Sequence, residues 1–415
     1  MTRHGRRILM IVQNTYPHDI RVRKEADALT EAGYSVSVIA LRGMGQKAYE
    51  EVKGVNVFRI PEVTVFEKAK RSSSNAVVAI YDKIKSIAGY VLEYVYFTLA
   101  SFFVSLFIYA KNGFDVIHMH NPPDTLSMIG IFFKILGKKY IFDHHDLSPE
   151  LYLTRVSGKK DLIYRGLVFF ERLSCRHSDV IISTNESYRQ IEINRHSVDP
   201  EKISIVRNNP IVNDCILSEA EHDRVKPDNT KTKLLFLGSI NPQDGVDVLL
   251  QAIHYLVYSL NERKFICTIV GGGDSLESVK QLSADLGLSD YVDFKGLVLD
   301  REKVKEYLWS SDIGVEPAPC SDANKHSTFI KVMEFMAAGK PVVAFDLKET
   351  RYSAERAALL VKPGDVEGYS SALKQLIADP DTRQKMGKAG LRRIVEELNW
   401  EKASRSLKSA YGSLI

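Results

Sequence analysis

The chain has 415 residues, 45% of them hydrophobic and 26% charged, with a formal charge of +4. That length is too great for one ordinary domain and suits two of about 200 residues, and the charged fraction is that of an ordinary soluble protein. So small a net charge gives no case for nucleic acid as a partner, although basic residues cluster locally.

Met1–Arg7 is basic, but the apolar run behind it, Ile8–Val12, is too short for a secretory signal and predicts a first buried strand. A helical pattern follows from about Ile20 to Ala32 and stops at Gly33. Ser35–Leu41 and Val55–Ile60 read as the second and third strands. Asp115–Met119, Lys139–Phe142, Val180–Ser183 and Ile203–Val206 continue the series. Short apolar strands spaced by helices indicate a parallel sheet of βαβ units.

Between the third and fourth strands lies Tyr94–Ala110, a stretch of 17 residues without a charge. As a helix it measures about 26 Å, nearly the thickness of a bilayer core. Crossing would put the strands on its two sides in different compartments, where they could not share a sheet. Two readings remain: a helix buried against the sheet, or one lying in the membrane interface. The preceding segment favours the second, because Lys68, Lys70, Arg71, Lys83 and Lys85 outnumber Glu67 and Asp82.

Asn213–Lys231 is polar and charged and reads as a linker or surface excursion. The alternation then restarts. Strands are expected at Leu234–Leu237, Phe265–Val270, Tyr291–Phe294, Ile313–Val315 and Val342–Phe345. Helices are expected at Val246–Leu260, Ser275–Leu286, Arg301–Ser310 and Phe329–Ala338. The fold class is therefore α/β, with two Rossmann-like βαβ domains and a central cleft at the carboxyl ends of their strands. The first domain is expected over 1–206, with a membrane-associating insertion at about 63–111. The second is expected over 207–393, and a C-terminal helix over 394–415 packs back on the first. Cys175, Cys215, Cys267 and Cys320 stand far apart and read as reduced cytosolic thiols.

The strongest chemical constellation is Ser327–Val343. A Ser/Thr start, an apolar helix carrying Lys331 and Glu334, a stop at Gly339 and Pro341 before a strand make a helix N-terminus suited to an anion. Lys331 can add a point charge to a diphosphate, and Glu334 can accept from ribose hydroxyls; an i,i+3 surface pair is the bland alternative. The run Asp143-His144-His145-Asp146 suggests a metal site, but adjacent side chains on an extended chain point opposite ways, so one ion cannot easily take all four. No Asp-x-Asp follows a strand, since Asp379-Pro-Asp381 reads as a helix-start turn.

Ser327–Val343 resembles the donor-binding element of retaining GT-B glycosyltransferases of family 4, in which two glutamates eight positions apart precede a Gly-x-Pro-Val-Val turn. Glu334 matches the second glutamate and His326 stands at the first. Leu235–Leu250 resembles the family's first donor-domain strand and loop, with Gly238 in place but Ser239 and Asp244 where Arg and Lys are usual. Phosphate charge then falls to Arg207 and Lys331. Ile269–Gly273 is similar to the strand-end glycines, Gly271 among them, beside the nucleobase. Asn14–Glu25, with Asp19 and Arg21, resembles the first loop and helix, and Phe142–Glu150 the Asp-x-His-Glu segment.

The resemblance implies His145 and Glu334 as catalytic residues. It implies a donor site of Arg207, Gly238, Gly271, His326, Lys331 and Glu334, and an acceptor site of Asp19, Arg21 and His145. No metal or other cofactor is expected. The stretch Ser327–Val343, followed by Phe345–Glu349, resembles most a subgroup that builds bacterial surface polysaccharides on polyprenyl-diphosphate sugars. The expected partners are accordingly a nucleotide-sugar donor (uridine-linked by family resemblance), a lipid-linked saccharide acceptor and an anionic membrane surface. The transferred group is expected to be hexosyl or N-acetylhexosaminyl, and the protein to be cytoplasmic and peripheral on the inner face of the plasma membrane. A sugar-nucleotide 2-epimerase of the same fold and a non-catalytic bilobal sugar-binding protein are the alternatives.

Overall fold

The computed structural model describes residues 6–63, 76–156, 158–212 and 231–414, with the backbone alone for 76–88, 90 and 155. The chain divides into two compact units, Met1–Val206 with Ser404–Ile415, and Arg207–Ala403. Both are Rossmann-like α/β domains.

In the first unit β1 (Arg7–Thr15), α1 (Ile20–Glu31), β2 (Ser35–Arg42), β3 (Tyr49–Val52), β4 (Val55–Pro61) and α2 (Ala76–Lys111) come first. They are followed by β5 (Val116–His120), α3 (Ser127–Ile135), β6 (Lys139–His144), α4 (Ser148–Arg155), α5 (Leu162–His177), β7 (Val180–Ser183), α6 (Glu186–His196) and β8 (Ile203–Ile205). The sheet order is β3-β4-β2-β1-β5-β6-β7-β8. All its pairs are parallel except β3 with β4. β5 and β7 are buried at every residue, as strands covered on both faces must be. Asp19, Asp161 and Asn185 cap α1, α5 and α6 with side-chain oxygens, which fixes where each helix starts. Gly33, at φ +89°, ends the turn after α1.

The second unit holds β9 (Thr232–Leu237), α7 (Val246–Tyr258), β10 (Phe265–Val270), α8 (Leu276–Asp285), β11 (Val292–Gly296), α9 (Arg301–Ser310) and β12 (Ile313–Glu316). It continues with α10 (Ile330–Ala337), β13 (Val342–Phe345), α11 (Lys348–Ala354), β14 (Ala358–Val361), α12 (Val366–Ala378), α13 (Pro380–Glu396) and the start of α14 (Trp400–Leu414). Its sheet is wholly parallel, in the order β11-β10-β9-β12-β13-β14. Asp379 caps α13, as the Asp-Pro-Asp turn suggested.

Two strands escape the sequence reading. β3 is polar and exposed, and is formed by a Lys53-Gly54 turn with both residues at positive φ. β14 is only four residues long.

The apolar stretch is resolved in an unexpected way. α2 is one helix of 36 residues. Its small polar side chains face inward: Thr98, Ser101 and Ser105 are buried with Phe97 and Ile108. Its large apolar ones face outward: Leu99 is 55% exposed, Phe103 66% and Phe107 55%, in line with Val91 and Val95. Neither reading of the stretch holds for all of it, since one face packs on the core and the other does not. β1 and β5 are neighbours in one sheet, so the helix between them does not carry the chain across a bilayer. Lys68, Lys70, Arg71, Cys215 and most of the Asn213–Lys231 segment lie outside the described residues, as do the side chains of Lys83 and Lys85.

Candidate functional site

In doubly wound sheets a ligand sits at the carboxyl ends of the strands, where the strand order reverses. In the second unit that point lies between β9 and β12. β9 leads into Gly238 at φ +130° and β10 into Gly271 at φ +154°. A Cβ on Gly271 would stand 1.7 Å from the Gly238 carbonyl oxygen, so only glycine lets these strand ends meet.

β12 ends in the buried Glu316, and Lys331 in the first turn of α10 reaches it at 3.1 Å. The ammonium also stands 4.3 Å over the Phe236 ring and close above Gly238. Lys331 Nζ is thus ion-paired with Glu316, and an ammonium has three N–H donors, so the pair leaves others for a ligand. Burial pushes the carboxyl groups of Glu316 and Asp244 up, and Lys331 pulls both back. A cation so held, beside strand-end glycines and a helix start, can take an anion.

The helix start differs from expectation in one respect. α10 begins at Ile330 behind an extended Phe329 and carries no side-chain cap, because the Ser327 hydroxyl donates to the Ala323 carbonyl at 3.0 Å instead. His326 ends a short turn, Asn324–His326, that precedes it. Glu334 is half-buried one turn beyond Lys331. The structure therefore brings Gly238, Gly271 and Lys331 together. It places Arg207 against α11, 3.1 Å from Glu349 and 4.1 Å over the Tyr352 ring.

In the first unit the strand order reverses between β1 and β5. Asp19, in the loop after β1, accepts from Arg21 Nη2 at 3.2 Å and from Asn14 Nδ2 at 2.9 Å. Burial opposes its charge, but Arg21 outweighs burial and holds the carboxyl well below the usual range. His145 and Asp146 add to the charges that act on Asp19 and Arg21 respectively, so these residues form one group.

The loop after β6 is fixed by Asn121. Its side-chain oxygen accepts from the backbone N–H of His145 at 2.7 Å and of Asp146 at 3.2 Å, while its Nδ2 donates to the Asp146 carbonyl at 2.7 Å. The His145 imidazole is buried, with Nε2 3.2 Å from Asp143 Oδ2 and 3.0 Å from His120 Nδ1. Its Nδ1 is the nitrogen without a hydrogen-bond partner.

Alternation along β6 separates the four-residue run as expected. Asp143 and His145 turn to one side, and His144 turns to Glu171 at 3.3 Å and Glu192 at 2.9 Å. The sequence reading missed what Asp143 meets: Glu25, His118 and His120 converge on it, all buried. Burial, with His118 beside it, pushes His120 down to about 3, leaving a neutral imidazole. The signal was present in His118-Met-His-Asn121 at the end of an apolar strand.

Two family profiles match this chain. The one described as Glycosyltransferase Family 4 covers residues 20–208, and the one described as Glycosyl transferases group 1 covers 231–379. An uncharacterized glycosyltransferase of Methanocaldococcus jannaschii is 22% identical over 395 residues, spanning 93% of this chain and 91% of its own. The MMP alpha-(1->4)-mannosyltransferase of Mycolicibacterium hassiacum is 25% identical, over 74% of this chain and 72% of its own. Among solved structures, sucrose-phosphate synthase from Thermosynechococcus elongatus superposes with a TM-score of 0.74 at 17% identity, over 99% of both chains. Anabaena HepE in complex with UDP-glucose superposes with a TM-score of 0.69 at 14% identity, over 98% of this chain and 99% of its own.

The fold and the two strand-end sites thus belong to a GT-B protein. This chain is a glycosyltransferase of the group 1 and family 4 type.

Proposed function

We propose that the protein takes a hexosyl or N-acetylhexosaminyl group from a nucleotide sugar, uridine diphosphate-linked, and transfers it with retention of configuration. The acceptor is a polyprenyl-diphosphate-linked or other membrane-bound saccharide, in the building of a surface polysaccharide. The observation that carries the donor half is Lys331, whose ammonium is held by the buried Glu316 and stands beside Gly238 at the switch point of the second sheet. As the sugar leaves, negative charge grows on the diphosphate. The uncapped first turn of α10 and Lys331 meet that charge without rearranging, which is how such groups lower a barrier. HepE, of the same fold, is described in complex with UDP-glucose, which supports the donor class. In the first unit Asp19, Arg21 and His145 serve the acceptor, and His145 presents Nδ1 to the reacting sugars. The exposed face of α2 serves the membrane, and the protein works on the cytoplasmic side of the plasma membrane.

Glu334→Ala tests the donor site. Losing a charge-assisted bond to a sugar hydroxyl costs about 1.5–3 kcal/mol, so donor affinity in titration calorimetry falls roughly ten- to hundredfold while the melting curve stays put. Unchanged affinity removes Glu334 from the site. Transfer should also proceed with EDTA added to the assay, because protein N–H groups and Lys331 supply the charge stabilisation. Abolition within the assay, reversed by magnesium or manganese, contradicts this.

A further inference from the structure

Glu25, His118, His120 and Asp143 have no assigned part in sugar transfer. His118 and His120 are two apart on β5 and so project from the same face of the sheet. Asp143 on β6 stands in register with His120. Glu25 comes from α1. All four are buried, and one ligand atom from each lies within 4.8 Å of every other. Asp143 Oδ2 is 3.4 Å from His118 Nε2 and 3.2 Å from His120 Nδ1, and Glu25 Oε2 is 3.9 Å from His120 Nδ1. A tetrahedral ion with bonds of about 2.0–2.2 Å holds its ligand atoms roughly 3.3–3.6 Å apart.

Two further observations point the same way. His118 Nε2, Glu25 Oε2 and both oxygens of Asp143 are buried and without a hydrogen-bond partner, although they crowd together. Buried polar atoms are rarely left so. One outer contact is of the kind that holds a metal ligand in place: the Tyr411 hydroxyl lies 2.8 Å from His118 Nδ1, leaving Nε2 as the inward nitrogen.

From this juxtaposition we infer that Glu25, His118, His120 and Asp143 bind a divalent transition-metal ion of the zinc class. Two imidazoles with two carboxylates suit zinc better than calcium or magnesium, which take oxygen ligands. Two carboxylates also neutralise the dication, so the buried site carries no net charge. Four protein ligands leave no position open for substrate, and the ion is therefore structural. It ties β5, β6 and α1 together, and through Tyr411 it secures α14. Being fully buried, it survives brief exposure to chelator in an assay. The leaving diphosphate meets groups of the second unit, so the EDTA prediction stands independently.

The test is metal content by plasma mass spectrometry on the full chain, purified without a histidine tag and equilibrated with zinc(II) before gel filtration. The wild type should carry one zinc per chain and melt higher than protein stripped by prolonged dialysis against chelator. Glu25→Gln and Asp143→Asn, which keep side-chain shape, should remain folded by circular dichroism and lose the zinc. A folded wild type without stoichiometric zinc overturns the inference, and the four side chains are then a proton-sharing network. Full zinc content in both variants overturns it equally, by placing the ion elsewhere.

Discussion

Replacing Leu99, Phe103 and Phe107 by Ser should leave the protein folded and strip it from anionic vesicles. These three side chains form the outward stripe of α2 and are each more than half exposed. Their loss therefore opens no cavity. Further apolar side chains lie exposed on α3, at Met128, Phe132 and Ile135, and Phe102 of α2 packs edge-on against Phe132 at 5.0 Å. The two helices thus present one apolar surface, and such surfaces mark interaction sites. Lys111 beside the Phe107 ring and Lys138 beside Tyr109 put cations at its border, as suits an anionic membrane.

If each side chain contributes about 1 kcal/mol on half-burial in lipid, the triple variant loses about 3 kcal/mol, roughly a hundredfold in vesicle partition. Co-sedimentation with vesicles measures it. Phe97→Ser on the inward face is the contrast, since a buried large-to-small change of this kind costs about 3–5 kcal/mol of stability. Unaltered vesicle binding by the triple variant, or its unfolding, contradicts the membrane reading.

Glu171→Gln should destabilise the first unit by about 3–5 kcal/mol, because it breaks a buried ionic network by removing one partner. Glu171 is fully buried and meets His144 at 3.3 Å, His196 at 2.6 Å and Arg195 at 2.9 Å. Burial disfavours the charge on His144, but Glu171 and Glu192 outweigh it and raise the imidazole to about 10. Burial likewise opposes the charge of Glu171, and His144 and His196 hold it well below the usual carboxylate range.

The His144 contribution is complete below its unfolded value near 6.5 and is lost as pH rises towards about 10. The Glu171 contribution is present above the ordinary carboxylate range and is lost as pH falls through it. Urea unfolding should accordingly show wild-type stability declining between about pH 7 and pH 10, and the decline should be shallower in Glu171→Gln. Equal slopes in the two proteins would show that His144 is not held protonated.

Most of the architecture was legible from apolar runs, because strands buried on both faces are nearly continuous in Val, Ile, Leu and Phe. β10, β13 and α9 lie at the residues expected. β3 was not legible, since a polar edge strand gains its place from pairing with β4 rather than from burial. Of the 36 residues of α2 only Tyr94–Ala110 stood out in the sequence, and its orientation did not, because that stretch carries no charge and only the burial of Ser101 and Ser105 shows which side is in.

The grouping of Gly238, Gly271 and Lys331 at the strand ends of the second sheet was legible, because it follows from strand-end turns and the start of a helix. Its counter-ion Glu316 was not, because it comes from a different strand. His120 was missed for a plainer reason. The fourth strand was expected to stop at Met119, whereas β5 runs one residue further, and that residue joins His118 and Asp143 in one cluster.

The central claim, transfer from a nucleotide sugar to a lipid-linked saccharide, is met most directly by nucleotide release. The protein is incubated with a panel of uridine, guanosine and adenosine diphosphate sugars, with and without a short-chain polyprenyl-diphosphate sugar, and free nucleoside diphosphate is followed. Release from a uridine diphosphate sugar that depends on the lipid acceptor, with a lipid product keeping the donor's anomeric configuration, is the predicted result. Conversion of the nucleotide sugar into its 2-epimer, or release that lipid acceptor does not raise, contradicts it.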